Sequence, residues 1–464
     1  MTALPPPYLT IAEAGRLLAA RKLGPVELTR ALLARIAALD PVLNAFITVT
    51  ERPALTAARA AERALAAGTR HPLLGIPLAF KDIYATAGVR TTAHSRLLAD
   101  NIPTQDAETV HRLRGAGAVM LGKLATHEFA VGGPAFDLPW PPARNPWDTR
   151  RFTGGSSSGS GAAVAAGLAL GALGSDTAGS IRGPAAYCGI AGLKPTAGLV
   201  SRRGVIPLAP SLDTVGPMAW TAEDCAILLD TLAGHDPADP ASVPGPAVAY
   251  GRALQSPVKG LRVGVLRRVF ERDAPVDPET QRMLAEALRV LRDLGCRVED
   301  AEPPPLAEFN AVARVIISAE AYALHEAQLK TRLAEYSRAF RVRVLGGALI
   351  SAADYLAAQR HRTDLIAAMA ALFRRFDLLV SVPMAGPAPL LAEQRPDDGF
   401  ARPMATTIAN VAALPSLVVC GGFTSGGLPL GLEIMGPAWA DAAVLRLGHQ
   451  YERASGTRGR RPEM

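Results

Sequence analysis

The sequence predicts an α/β fold: a large mixed, mostly parallel β-sheet covered by helices on both faces. Apolar runs of strand length, such as 118–122, 261–266 and 377–383, alternate with segments whose apolar residues recur at helical spacing. The runs are continuous rather than alternating, which is how strands buried on both faces read. The chain has 464 residues, 49% hydrophobic and 20% charged, enough for one large core.

Taken in order, Thr10 and Glu13 form a capping box that opens a helix over 11–21. Pro25 sits where a first helical turn tolerates it and starts a second helix to 39. An Ala-rich third helix covers 52–67, completing an N-terminal helical layer within residues 1–69. A turn and a buried strand follow at 71–83, then a helix at 105–116 and the strand 118–122. The stretch 132–148 is Pro-rich, carries Trp140 and Trp147, and has no periodicity; it is a loop of the length that usually lies over a site. Residues 261–266, 277–294 and 296–301 read as strand, helix and strand. Helices at 308–334 and 352–375, the strand 377–383 and a Pro-rich loop at 384–403 come next. A helix at 404–413, a strand at 416–423, a hairpin-like 425–436 and a helix at 440–453 close the chain. No repeat and no composition break divides it, so residues 1–464 are expected to form a single domain.

Net charge is +7, but the basic residues are interspersed with acids, which argues against a nucleic-acid groove. Cys188, Cys225, Cys296 and Cys420 fit no metal or disulfide pattern and read as buried free thiols of a reducing, cytoplasmic compartment. The longest small-apolar run, 161–174, is too short to span a bilayer, and the N-terminus lacks the pattern of a signal peptide. His94, His111, His127 and His325 lack metal-ligand spacing and read as surface or core residues. No metal or cofactor is therefore called for.

Only six lysines stand against 43 arginines. One of them, Lys81, lies in the apolar IPLAFKDIY. Taken alone it reads either as a surface lysine paired with Asp82 or as an amine kept because it can lose its proton, which arginine cannot do. Burial lowers a lysine pKa and makes it a base near neutrality. Two Gly/Ser loops follow, TGGSSSGSGAAVAAG (153–167) and GSDTAGSIRGPAAYCG (174–189). Each alone is either a structural turn or a source of a nucleophilic hydroxyl and convergent backbone N–H groups. Neither ends in the G-K-[ST] of a phosphate loop.

Lys81 in FKD, Ser156 in GGSSSGSG and Ser180 in GSDTAGSIRGPAAYCGIAGLKPT together resemble the amidase signature family of serine hydrolases. The resemblance covers residues 71–220 closely, a signature core within 70–230; 260–400 matches least and reads as the substrate-pocket region, and 404–453 as the closing strands and helix. It implies a Ser-cisSer-Lys triad: Ser180 attacks, Ser156 bridges after a cis peptide bond at Gly155, and Lys81 carries the proton. The oxyanion would rest on N–H groups of Thr177, Ala178, Gly179 and Ser180. Ala178 departs from the family's usual T-G-G-S and would cost about 1 kcal/mol if that position needed positive φ. Asp176 and Arg182 are expected to brace the loop as a buried pair. Gly183 leaves space beside the nucleophile, and Trp140 and Trp147 are candidates for the pocket wall.

The implied activity is hydrolysis of a carboxamide, with esters or carbamates also open, acting on a small-molecule substrate without nucleic acid or membrane; a homodimer is left open. Two alternatives stand beside it. One is the A subunit of glutamyl-tRNA(Gln) amidotransferase, which has the same core and passes ammonia to a partner. The long 300–400 segment favours the free-standing enzyme. The other is a non-catalytic binding protein, against which the intact triad argues.

Overall fold

The structure, a computed structural model, describes residues 8–395 and 402–464. Part of the Pro-rich loop expected at 384–403 and the first seven residues fall outside them. The strands are β1 (Phe46–Val49), β2 (Pro77–Lys81), β3 (Val119–Leu124), β4 (Arg144–Asn145), β5 (Asp148–Phe152), β6 (Gly171–Asp176), β7 (Ala191–Lys194), β8 (Thr214–Ala219), β9 (Arg262–Val265), β10 (Arg297–Asp300), β11 (Leu378–Ser381), β12 (Ser416–Phe423) and β13 (Pro429–Met435). Eleven of them form one sheet in the order β1-β3-β2-β6-β8-β7-β12-β13-β11-β9-β10, and β4 pairs with β5 in a small separate hairpin.

The sheet is mixed, as the sequence predicts, but the balance differs from a mostly parallel one. β2 runs parallel to β3 and β6, and β9 parallel to β10 and β11. The other six pairings in the sheet are antiparallel. The reason is local: β12 and β13 are joined without the helical crossover that parallel neighbours require, and so, among the middle strands β6 (GALGSD), β7 (AGLK) and β8 (TVGPMA), are the neighbours β7 and β8. These three are glycine-rich and low in β-propensity, so no strand signal marks them in the sequence. Their identity comes from packing, with Gly174 directly opposite Gly216 across β6 and β8.

The expected helices form. Thr10 makes the capping box with Glu13 and opens Ile11–Ala19. Pro25–Leu43 runs one turn beyond expectation, through Pro41, and ends with Asn44 in the left-handed region. Glu51–Ala66 completes the layer, and Ala12 N–H binds the Asp224 carboxylate at 2.9 Å, tying it to the helix Ala222–Leu232. Leu306–Arg332 and Ala352–Leu372 pack together beyond the β9 half of the sheet. Among the described residues no helix is long and apolar enough to cross a membrane.

The topology positions the site. β3 lies on one side of β2 and β6 on the other, so the chain reverses its direction of travel across the sheet at β2. Ligands in open α/β sheets bind in the crevice outside the carboxyl ends of strands at such a reversal. Lys81 is the last residue of β2 and Asp176 the last of β6; because the two strands are parallel, both ends face the same crevice.

Candidate active site

Lys81 is fully buried. Its Nζ lies 2.7 Å from Ser156 Oγ and 2.9 Å from Ser175 Oγ. Asp82 is not its partner: that carboxylate pairs with Lys123 at 3.2 Å and accepts from Thr92 N–H and Oγ–H. Burial pushes the Lys81 amine down to about 7, although the charges of Asp213 and Asp176 pull it back up. Ser156 is buried, and the peptide bond between Gly155 and Ser156 is cis. It leads into the helix Ser158–Ala165, whose small residues pack against β2 and β3.

The second loop leaves β6 at Asp176. Burial alone would raise the Asp176 carboxyl, but the Arg182 guanidinium and the Asn410 amide hold it well below the usual carboxylate range. Its oxygens accept from Arg182 Nη2 at 2.9 Å and Nε at 3.0 Å, from Asn410 Nδ2 at 2.8 Å, and from the N–H groups of Gly179 and Ile181 at 2.8 and 3.1 Å. Arg182 reaches on to Glu433 at 2.6 Å. The expected Asp176–Arg182 brace is thus present and extends into β13 and the helix Thr407–Val411, which carries Asn410. Thr177 Oγ–H donates to Asp213 at 2.5 Å, and Thr406 Oγ–H to the Ala178 carbonyl at 2.7 Å.

This geometry bears on two expectations. Gly179 N–H is taken by Asp176, so of the four proposed oxyanion donors it is the one already satisfied. And positive φ falls at Gly179, +116°, not at Ala178, so the alanine is unstrained. A Cβ at Gly179 would also collide with Thr406.

Ser180 and Gly183 line a cavity of about 450 Å³. Its walls include Thr177 and Ala178, Gly132, Gly133 and Pro134 from the Pro-rich loop, and Val269, Phe270, Ile317, Arg343 and Met384 from the 260–400 segment. Ser337 N–H donates to Glu128 at 2.9 Å, anchoring the short helix Arg338–Val344 that carries Arg343. Trp140 and Trp147 are not in the wall. The Trp140 carbonyl bonds His94 Nε2 at 2.9 Å. Trp147 Nε1–H donates to the Cys188 carbonyl at 2.8 Å, and its ring packs on Phe423. Trp147 closes the loop onto the core through its indole N–H on a backbone carbonyl, and Trp140 is tied down by its own carbonyl on the His94 side chain.

Sequence reasoning gave no role to Ser175, Asp213 or Asn410, and it placed His127 among core or surface residues. His127 is buried but lines the cavity. Its only sequence signal is that it stands close after β3, at the carboxyl end of a strand beside the reversal. His325, by contrast, is a core residue, packed against Phe129 and Phe340 and bonded to Tyr336. Among the described residues no cluster could hold a metal ion.

A buried lysine on a serine, a second serine in the cavity wall and a braced turn between them define an acyl-transfer hydrolase. The chain belongs to the amidase signature family: the Amidase family profile matches residues 27–445. It is 40% identical to the A subunit of glutamyl-tRNA(Gln) amidotransferase from Azotobacter vinelandii, over 98% of this chain and 99% of that one. It superposes on a peptide amidase solved with the competitive inhibitor chymostatin, with TM-score 0.84, 34% identity, and 98% and 99% of the two chains covered. It also superposes, with TM-score 0.91 and 33% identity over 98% and 100% of the chains, on a protein from work on a vestigial protein complex and the origins of an s-triazine catabolic enzyme. The protein is an enzyme that hydrolyses amide C–N bonds, which removes the non-catalytic reading.

Proposed function

We propose that this amidohydrolase works through an acyl-Ser180 intermediate. Neutral Lys81 takes the proton of Ser156 Oγ as Ser156 takes that of Ser180, and Ser180 Oγ forms a bond to the substrate carbonyl carbon. The carbonyl electrons move to the oxygen, which N–H groups of Thr177, Ala178 and Ser180 receive. As the tetrahedral intermediate collapses, the C–N bond breaks and the relay returns a proton to the departing ammonia or amine. Water repeats the sequence on the acyl-enzyme and releases the acid. The observation that carries this reading is the Lys81 Nζ contact with both Ser156 and Ser175, in a buried site beside the cavity that Ser180 lines. Amine or ammonia release over a panel of amides, anilides, esters and carbamates tests it, together with fluorophosphonate labelling of Ser180. An active Ser180→Ala variant overturns it.

The amidotransferase reading also has support, from the near full-length similarity to the Azotobacter vinelandii protein. Its ammonia would pass to a second protein of the complex. Against glutamine as substrate, no carboxylate able to pair with its α-ammonium stands in the described cavity wall. Glutaminase activity with co-purifying partner chains decides for that reading, and turnover of other amides by the isolated chain decides for the free-standing enzyme. Action in the cytoplasm is part of the proposal, supported by four buried cysteines without a disulfide.

A further inference from the structure

His127 is held from four sides, yet one of its ring nitrogens is unused. Its backbone N–H donates to the Ser156 carbonyl at 3.1 Å. Its Nδ1 accepts from Gly133 N–H at 2.8 Å. Its ring stacks on Phe152, with centroids 5.8 Å apart and planes 12° from parallel. Gly155 lies so close that a Cβ there would enter the imidazole ring. Since Nδ1 is an acceptor, the neutral ring carries its proton on Nε2. That Nε2 is buried, has no partner among the described residues, and belongs to a side chain that lines the cavity with Ser180.

A buried donor without a partner is costly and rare, and at a cavity wall its natural partner is the ligand. We propose that His127 is a specificity-determining residue whose Nε2–H donates to a second oxygen acceptor on the substrate, so that the preferred amides carry a carbonyl, ether or carboxylate oxygen besides the scissile carbonyl. The inference rests on the reading that Ser180 acts from this cavity. The surroundings select an acceptor rather than a donor. The Arg343 guanidinium approaches Gly132 and Gly133, the latter being the residue that binds His127 Nδ1. Burial, with the Lys81 and Arg343 charges, holds the imidazole well below its usual range, so the ring stays neutral and keeps one donor. A substrate with an apolar chain at this point would leave the N–H buried and unpaired. A substrate with an oxygen there satisfies it, and such a site rejects the analogue lacking the oxygen.

The test compares paired substrates. In one arm the acceptor is on the acyl side: acetoacetamide against isovaleramide, and succinamate against isocaproamide. In the other it is on the amine side: N-methoxyethyl acetamide against N-butyl acetamide. The wild type is expected to favour the oxygen-bearing member of at least one pair in kcat/KM. His127→Phe, which keeps a ring but no donor, is expected to reduce that preference by about tenfold, the equivalent of one hydrogen bond. His127→Gln, which can place an amide N–H near the Nε2 position, is expected to retain part of it. The arm that responds tells which side of the scissile bond His127 reads. Equal proportional losses for both members of every pair, or no preference in the wild type, overturn the proposal. Failure of the underlying reading looks different: no amide is turned over and fluorophosphonate does not label Ser180. Thermal melts of both variants separate a loss of fold from a loss of preference.

Discussion

Lys81 Nζ lies 2.7 Å from Ser156 Oγ, although the two residues are 75 positions apart in the chain. The contact joins the end of a buried strand to the start of a buried helix, and neither side chain is exposed to water. A lysine in that position loses its proton readily because it is dry, and in the proposed mechanism Ser156 is the relay between it and Ser180.

Replacing the base should stop the chemistry without unfolding the chain. For Lys81→Ala a loss of about 10²–10⁴-fold in kcat is expected, the usual contribution of a positioned proton-transfer group. Steady-state rates alongside circular dichroism check this; a near-native rate removes Lys81 from the mechanism.

The pH profile should rise rather than fall through neutrality. In the proposed mechanism Lys81 works unprotonated, and burial brings its amine down to about 7, so kcat/KM should climb with an acid limb near that value. The same shift has a stability sign. The folded value lies below the ordinary lysine value near 10.4, so the unfolded chain binds more protons between them, and this residue's burial penalty shrinks as pH rises from 7 to 10. Relative to wild type, Lys81→Met should therefore be most stabilised at pH 7 and below, losing that advantage toward pH 10. Melts at a series of pH values measure it.

Ser156 and Ser175 both touch the amine, but only one is placed to relay. Ser156→Ala should cost more in kcat than Ser175→Ala: Ser156 follows Gly155, a residue of the cavity wall, and lies nearer to Nζ at 2.7 Å, whereas the Ser175 hydroxyl holds Nζ at 2.9 Å from the interior of β6. A loss of about tenfold is expected for Ser175→Ala, the scale of one hydrogen bond. Single-turnover rates rank the two; the reverse order contradicts the relay.

Arg182 braces the Ser180 loop between two buried carboxylates. Arg182→Met leaves Asp176 and Glu433 without their cation and should destabilise the fold by about 3–5 kcal/mol. The Asp176 carboxyl is depressed in the folded chain, so its contribution is present above the ordinary carboxylate range near 4 and is lost as pH falls through and below it. The gap between wild type and variant, read from denaturant melts, should narrow toward acid.

Much of the site is legible in the sequence because it is local. The two Gly/Ser loops declare themselves by composition, and the Asp176–Arg182 pair spans only six residues. The lysine is harder. Lys81, Lys123 and Lys194 prove fully buried while Lys22, Lys259 and Lys330 are exposed, so scarcity of lysine does not by itself say which amine serves the serines. Lys123 instead meets Asp82, and Lys194 the Pro195 carbonyl. The tryptophans mislead for a related reason: an aromatic in a long loop packs either into a cavity or onto the core, and its neighbours in space decide.

The sequence by itself determined the reaction class, the identity of the serine-bearing loops and most helices, because these depend on residues near one another along the chain. The tertiary structure alone decided that Ser175 also meets the Lys81 amine, that Gly179 N–H belongs to Asp176, and that His127 rather than either tryptophan lines the cavity. Those outcomes follow from the parallel register of β2 with β6 and from the way side chains from Val269 to Met384 wall the cavity beside their ends. Contacts between residues tens or hundreds of positions apart are set by sheet order and packing, which no local pattern encodes.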